Sequence, residues 1–227
     1  ATELSRAGAA VVIADRLAQE AEAAVRTIVA AGGKAVAVTV DLAQMRAAPH
    51  LVHETVGRYG RIDILVNNAG ILNRTPTEEL TEEQWDRLMA INLKAVFFIT
   101  QAVLPVMVRQ GSGAIVSLAS LAARVGGIAA GVDYAISKAG VVGLTRTLAR
   151  QYGPKGIRVN AVAPGVIMTE MTRPWPEEVR QDFAARTPLG RLGTPEDVAR
   201  VVAFLAGPDS GFITGATIDV NGGLYMS

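Results

Sequence analysis

The sequence predicts one α/β domain, a doubly wound parallel sheet held between two layers of helices. Three observations predict it. Half of the 227 residues are hydrophobic and only 5% are aromatic, and the apolar set is mostly Ala, Val, Leu and Ile, which suits strands buried on both faces. Short β-branched runs alternate with longer stretches of helical periodicity, the pattern of right-handed strand–helix–strand units. Polar and glycine residues gather just beyond the strand ends, where open α/β sheets bind their ligands.

The predicted strands, in order, cover residues 9–15, 34–40, 62–66, 114–118, 157–162 and 216–220, each with the length and composition of a buried strand. Helical periodicity covers 18–31 and 84–109, and another helix runs from about 134 to 152. No repeat, low-complexity tract or linker interrupts the pattern, so 1–227 reads as a single domain. Asp15 closes the first strand and Asp41 follows the second. Asn67-Asn68-Ala69-Gly70 follows the third, Ser120 the fourth and Pro164-Gly165 the fifth. Turns favour Asn, Gly and Pro for local reasons, but five such clusters along one edge predict one ligand site.

Composition excludes several function classes. A formal net charge of +1 lacks the basic footprint of a nucleic-acid binder. The absence of cysteine removes disulfides, thiolate metal sites and thiol nucleophiles. No apolar run reaches the length of a membrane span by inspection, so the expected protein is cytoplasmic with no membrane partner. His50 and His53 lie three apart beside Glu54, and an exposed helix face accounts for them better than a metal site.

One short motif carries chemistry. In Tyr134-Ala135-Ile136-Ser137-Lys138, residues four apart share a helix face, which sets a phenol beside an ammonium. A free tyrosine titrates near about 10, and lowering that by about 3 units requires roughly 4 kcal/mol. A cation about 4 Å away supplies roughly that at an effective dielectric of about 20 and only about 1 kcal/mol in bulk water. The pair is therefore expected to act as an acid/base only in a sheltered cleft; elsewhere it is a solvated helix face.

The surrounding residues resemble the short-chain dehydrogenase/reductase family over nearly the whole chain, closest to the subgroup of 3-oxoacyl-carrier-protein reductases and similar ketoreductases. Asn67-Asn68-Ala69-Gly70 resembles the family loop after its fourth strand. Asn92 in Ile91-Asn92-Leu93 matches the family's helix asparagine, and Ser120, fourteen residues before Tyr134, its serine. Pro164-Gly165-Val166-Ile167-Met168-Thr169 resembles its nicotinamide-side loop. The resemblance implies a Rossmann-like three-layer fold and hydride transfer between a nicotinamide cofactor and a carbonyl/alcohol substrate. Tyr134 would be the acid/base. Lys138 would favour the phenolate and bind the nicotinamide ribose. Ser120 would hold the reacting oxygen, and Asn92 would hold a water linking Lys138 to solvent. Ser117 is the rival serine, expected inside the strand.

The resemblance also implies a cofactor set of Asp15, Arg16, Asp41, Leu42, Asn68, Ala69, Gly70, Tyr134, Lys138, Pro164, Gly165, Ile167 and Thr169. A carboxylate at Asp15 accepts from a ribose diol and repels a 2′-phosphate, which favours NAD over NADP; Arg16 complicates that preference. Asp15 and Asp41 also fit as helix caps. Residues 171–188, broken by Pro174, Trp175 and Pro176, are expected to be a mobile substrate loop. Trp175 is either a lid contact or a packing residue. Met168 and Met171 are expected in the core rather than the substrate pocket.

The chain begins where the family has the latter half of its first helix, and no glycine-rich pyrophosphate loop follows a strand anywhere in it. The expectation is a preceding strand and loop, placed inside the sheet between the first two strands and the rest. Helices 85–109 and 134–152 resemble those that form four-helix interfaces in family tetramers, so a homotetramer or homodimer is expected. Two other readings compete: a non-catalytic scaffold on the same fold, and a cofactor-independent lyase or dehalogenase, against which Lys138 argues.

Overall fold

The computed structural model describes residues 1–44 and 46–226. Among the described residues six parallel strands form: β1 (Ala10–Asp15), β2 (Lys34–Thr39), β3 (Ile64–Asn67), β4 (Gly113–Leu118), β5 (Ile157–Pro164) and β6 (Thr217–Val220). They lie in two sheets, β1-β2 and β3-β4-β5-β6. Ladders such as Val116↔Asn160 and Val162↔Ile218 fix the register of the larger one. One cavity is lined by residues of both β1 and β3.

Nine α-helices accompany the strands among the described residues: α1 (Thr2–Arg6), α2 (Ala18–Ala30), α3 (Ala47–Tyr59), α4 (Glu82–Met89), α5 (Ala95–Gln110), α6 (Ala122–Val125), α7 (Val132–Tyr152), α8 (Glu177–Arg186) and α9 (Pro195–Ala206). Alternate residues of a strand face opposite sides, and two layers follow. Ile115, Ile157 and Val159 pack with α3, α5 and α7 through Val52, Val56, Val103, Leu104, Met107 and Leu148. Val116 and Val162 pack the other way, against Val202 and Leu205 of α9 and Leu4 of α1. The three-layer expectation from sequence therefore holds.

Several boundaries differ from expectation for identifiable reasons. β3 starts at Ile64 and takes in Asn67, whose buried amide donates to Ser117 Oγ at 3.1 Å and Thr100 Oγ1 at 3.2 Å. Ser117 lies inside β4, as expected. The long helix is not uniform, because a π-helical turn, Ala90–Lys94, joins α4 to α5. By length and composition the continuous run Glu82–Gln110 is apolar enough to cross a membrane, which corrects the reading by inspection. Here Val96, Ile99, Val103, Leu104 and Met107 of that run are buried in this fold. Met168 and Met171 are each 41% exposed, so neither is core.

The segment 171–188 contains α8, which the sequence reading missed. Its apolar pattern is silent, with only Phe183 buried. The helix rests instead on Glu177 and Glu178 in the first turn, Arg186 in the last, and a Glu177–Arg180 ion pair, which suit the helix dipole. Trp175 stacks on Phe183 with centroids 5.4 Å apart, and the Arg74 guanidinium lies 4.9 Å from its ring.

Arg158 of β5 ties α9 down. Its guanidinium donates to the carbonyls of Leu205 at 2.7 Å, Gly207 at 2.9 Å and Ser210 at 3.1 Å, and to Ser210 Oγ at 2.7 Å. The last carbonyls of a helix have no intrahelical donor, and a cation there also suits the dipole. Arg158→Met will lower stability by about 3 kcal/mol, within the range for hydrogen bonds to a charged group. Arg158→Lys will recover only part of that, because an ammonium lacks the planar fork. Urea unfolding of the three proteins measures this.

Candidate active site

One cavity of about 960 Å³ extends from the slot between β1 and β3 to the carboxyl ends of the strands. Of the residues expected there, Asp15, Asn68, Gly70, Ser120, Tyr134, Lys138, Pro164, Gly165, Ile167 and Thr169 line it. Arg16, Asp41, Leu42, Ala69 and Asn92 do not. Leu42 packs against the Ala48–Ala95–Ile99 cluster instead, and Asp41 Oδ1 accepts from the Ala43 N–H at 3.0 Å, the local turn role. Asp15 Oδ1 accepts from the Leu17 N–H at 2.9 Å, a turn bond and not a cap on α2, whose N-cap Leu17 has no side-chain cap bond, and the residue lines the cavity. Gly165 is required by close approach, since a Cβ there would lie 2.9 Å from Asn221 Cβ.

The chemical centre is set by α7, β4 and the π-turn. Helix geometry places Tyr134 and Lys138 one turn apart, with the ammonium 5.7 Å from the phenol ring centroid. Lys138 is 4% exposed, and Nζ donates to the Leu118 carbonyl at 2.7 Å. Burial lowers its pKa from the ordinary 10.5 to about 8. The Ser120 hydroxyl is close enough to the Tyr134 hydroxyl to favour its ionised form, and Ser120 Oγ accepts from the Ala122 N–H at 3.2 Å, which fixes its direction.

The phenol behaves differently from the expectation drawn from spacing. Burial raises the Tyr134 pKa, and the neighbouring Ser120 hydroxyl offsets that only in part. The physical reason is order of titration: Lys138 gives up its proton near 8, so no ammonium remains beside Tyr134 when the phenol ionises. At neutral pH Tyr134 is a neutral hydroxyl, a proton donor.

Asn92 is fully buried in the π-turn. Its Oδ1 accepts from the Ile71 N–H at 2.8 Å, and Nδ2 donates to the Ile71 carbonyl at 2.9 Å and Ser137 Oγ at 3.3 Å. The wider π-turn, a feature that recurs at functional sites, carries this side chain. A Cβ on Gly70 would lie 3.4 Å from Asn92 Oδ1 and 3.5 Å from Lys138 Nζ. These are ordinary contact distances, so the Gly70 backbone runs close beside both groups.

These residues fit a nicotinamide cofactor. A buried ammonium has three donors and Lys138 uses one of them on Leu118, leaving donors for ribose hydroxyls. The Asp15 carboxylate offers an acceptor for a diol at the far end of the same cavity.

Comparison with known proteins agrees. A family model described as enoyl-(acyl carrier protein) reductase matches residues 1–225. The chain belongs to the short-chain dehydrogenase/reductase family. As a member it is a nicotinamide-dependent oxidoreductase working on a hydroxyl/carbonyl pair. It is 41% identical over 219 residues to the 3-oxoacyl-[acyl-carrier-protein] reductase FabG of Thermotoga maritima, covering 96% of this chain and 89% of that protein. It is 44% identical over 232 residues to (3R)-3-hydroxyacyl-CoA dehydrogenase of Mus musculus, covering 98% and 89%. Among solved structures, a Sinorhizobium meliloti protein described as a short-chain alcohol dehydrogenase superposes with a TM-score of 0.94 at 36% identity, covering 99% of this chain and 89% of that one. A Beutenbergia cavernae protein described as an NAD(P)-dependent gluconate 5-dehydrogenase holds NADP at low occupancy; it superposes at 0.92 with 37% identity, covering 98% and 90%.

Sequence reasoning missed Asn73 and Asp133, which lie directly behind this short-chain dehydrogenase/reductase centre. Asp133 is fully buried next to Tyr134 in sequence, and a lone acidic residue in a helix first turn gave no reason to single it out.

Proposed function

We propose that this chain reduces the 3-oxo group of an acyl thioester to the 3-hydroxy group, with Tyr134 as the proton donor. The observation that carries the reading is the neutral phenol of Tyr134 with Ser120 and the buried Lys138 on the wall of one cavity. The relatives named above for 3-oxoacyl and 3-hydroxyacyl chemistry support the substrate class. When bound, the nicotinamide cofactor supplies hydride to the carbonyl carbon. Ser120 donates a hydrogen bond to the reacting oxygen as negative charge builds on it. Tyr134 transfers its hydroxyl proton to that oxygen. The phenolate regains a proton by way of Lys138.

Lys138, Asp15, Asn68, Gly70, Pro164, Gly165, Ile167 and Thr169 hold the cofactor, and residues 171–188, with Trp175 and Met171 on the cavity wall, cover the substrate. Arg16, Asp41, Leu42 and Ala69 are left with local roles. Asp15 favours NADH over NADPH, and Arg16 stands outside the cavity lining. Asp15→Ser will raise kcat/KM for NADPH relative to NADH by roughly tenfold or more, about 1.4 kcal/mol; an unchanged ratio assigns selectivity elsewhere.

The protein acts as a cytoplasmic homo-oligomer. Ile136, Ala139 and Gly143 form an exposed strip on α7, with Phe97 and Val108 exposed on α5. Gly140, by contrast, serves the subunit itself, since a Cβ there would lie 2.7 Å from Leu93.

The test is consumption of NADH or NADPH with an acetoacetyl thioester, read at 340 nm alongside simple ketones. Turnover of the thioester well above the ketones supports the reading. Turnover of ketones alone removes the thioester, and no turnover with any carbonyl removes the reaction.

A further inference from the structure

Two hydrogen-bond donors converge on the buried carboxylate of Asp133. Oδ1 accepts the backbone N–H of Tyr134 at 2.8 Å, and Oδ2 accepts Asn73 Nδ2 at 3.0 Å. The Tyr134 N–H lies in the first turn of α7, where an amide lacks an intrahelical acceptor, and the N-cap Gly131 supplies no side chain. Asn73 cannot present its oxygen instead. Its Oδ1 is held by the N–H of Thr75 at 3.0 Å and by Thr75 Oγ1 at 2.8 Å, so the NH₂ must face Asp133. A side chain of this length with an acceptor at both ends is a carboxylate, since an amide presents a donor at one end.

The same loop is tied to the site at its other end. Ile71 is clamped through both backbone groups by Asn92, and the Asn73 carbonyl accepts the Gly131 N–H at 2.6 Å. Ser137 Oγ links back, donating to the Tyr134 carbonyl at 2.8 Å and accepting from Asn92. The loop 71–75 is therefore a strut between the π-turn that carries Asn92 and the helix start that carries Tyr134.

We propose that Asn73 and Asp133 are a positioning pair that sets the alignment of the Tyr134 hydroxyl with Ser120 and the reacting carbonyl. The inference rests on Tyr134 being the proton donor. Neither residue touches substrate; both act through the Tyr134 backbone.

The polarity of the pair can be exchanged. Asp133→Asn alone sets two NH₂ groups against each other, and Asn73→Asp alone sets two carboxylates against each other. In the double exchange, Asp at 73 still accepts from Thr75 and now accepts from Asn at 133, whose oxygen keeps the Tyr134 N–H. Each single variant is expected to lower kcat 10- to 100-fold, the scale of a misplacement of about 1 Å. The KM for cofactor should stay within about twofold of wild type, measured well below each melting midpoint. The double variant should return kcat to within about threefold of wild type.

Singles that lose only thermal stability, with kcat unchanged, overturn the proposal. So does a double variant that recovers neither kcat nor folded protein. Inactivity of the wild type towards every carbonyl overturns the functional reading itself and is told apart from these, because both of them require an active wild type.

Discussion

Replacing Tyr134 with Phe will lower the rate of carbonyl reduction by roughly a thousandfold, the middle of the range for loss of a positioned general acid, and will leave cofactor affinity within a few-fold. Phe keeps the ring and removes only the hydroxyl, so the packing behind Tyr134 is preserved. What disappears is the hydroxyl that shares the cavity wall with Ser120. Ser120 remains, oriented by the Ala122 N–H, and accounts for residual polarisation of the carbonyl. Stopped-flow single turnover separates the chemical step from release, and cofactor fluorescence gives the affinity. A variant that turns over normally would move the proton donor to another group.

Lys138→Met has two opposed effects. Turnover will fall by a hundredfold or more and cofactor will bind at least tenfold more weakly, because the variant loses the ribose donors and the cation. The fold, however, will gain stability. Lys138 is a buried ammonium whose one hydrogen-bond acceptor among the described residues is the Leu118 carbonyl, and its pKa falls from 10.5 to about 8 on folding. A shift of that size corresponds to roughly 3 kcal/mol, of which part is returned when the Leu118 bond is lost.

The sign follows from linkage. Below pH 8 the lysine is charged in both folded and unfolded chains, so the full burial cost is present. Between about 8 and 10.5 the unfolded chain binds more protons, so wild-type stability rises with pH and the cost disappears. At pH 7 the melting temperature of the Met variant should therefore exceed that of wild type by a few degrees, and the gap should close by pH 10. This is the trade of stability for function that active sites commonly show. A melting temperature below wild type at pH 7 would mean that the ammonium has a stabilising partner.

The parts of the fold governed by apolar periodicity were legible in the sequence, as were the parts of the site governed by spacing along one element. β1, β2, β4 and the core of β5 fall where β-branched runs place them, and Tyr134 and Lys138 share a face because four residues make one helical turn. Ser120 and Ser117 are told apart by the end of β4 at Leu118, which leaves Ser117 inside the strand. Features set by charge or by contacts distant in sequence were not legible. α8 stands on end charges and one buried Phe183 rather than an apolar stripe. The π-turn at Asn92 has no pattern in a window of local sequence. Asp133 meets Asn73 across sixty residues, and only the folded loop shows that both side chains are fully engaged. The direction of the Tyr134 shift was missed because spacing gives the proximity of a cation, and burial decides whether that cation is still charged when the phenol titrates.

The central claim is that a neutral phenol gives the proton and that a lysine titrating near 8 supports it. The pH dependence of kcat/KM for the reduced cofactor, which reports groups of the free enzyme, tests this most directly. Carbonyl reduction should be level from about pH 6 to 7.5 and fall as Lys138 loses its proton through about 8. A rate that instead climbs through neutrality to an alkaline plateau would make the phenolate the working form and contradict the account.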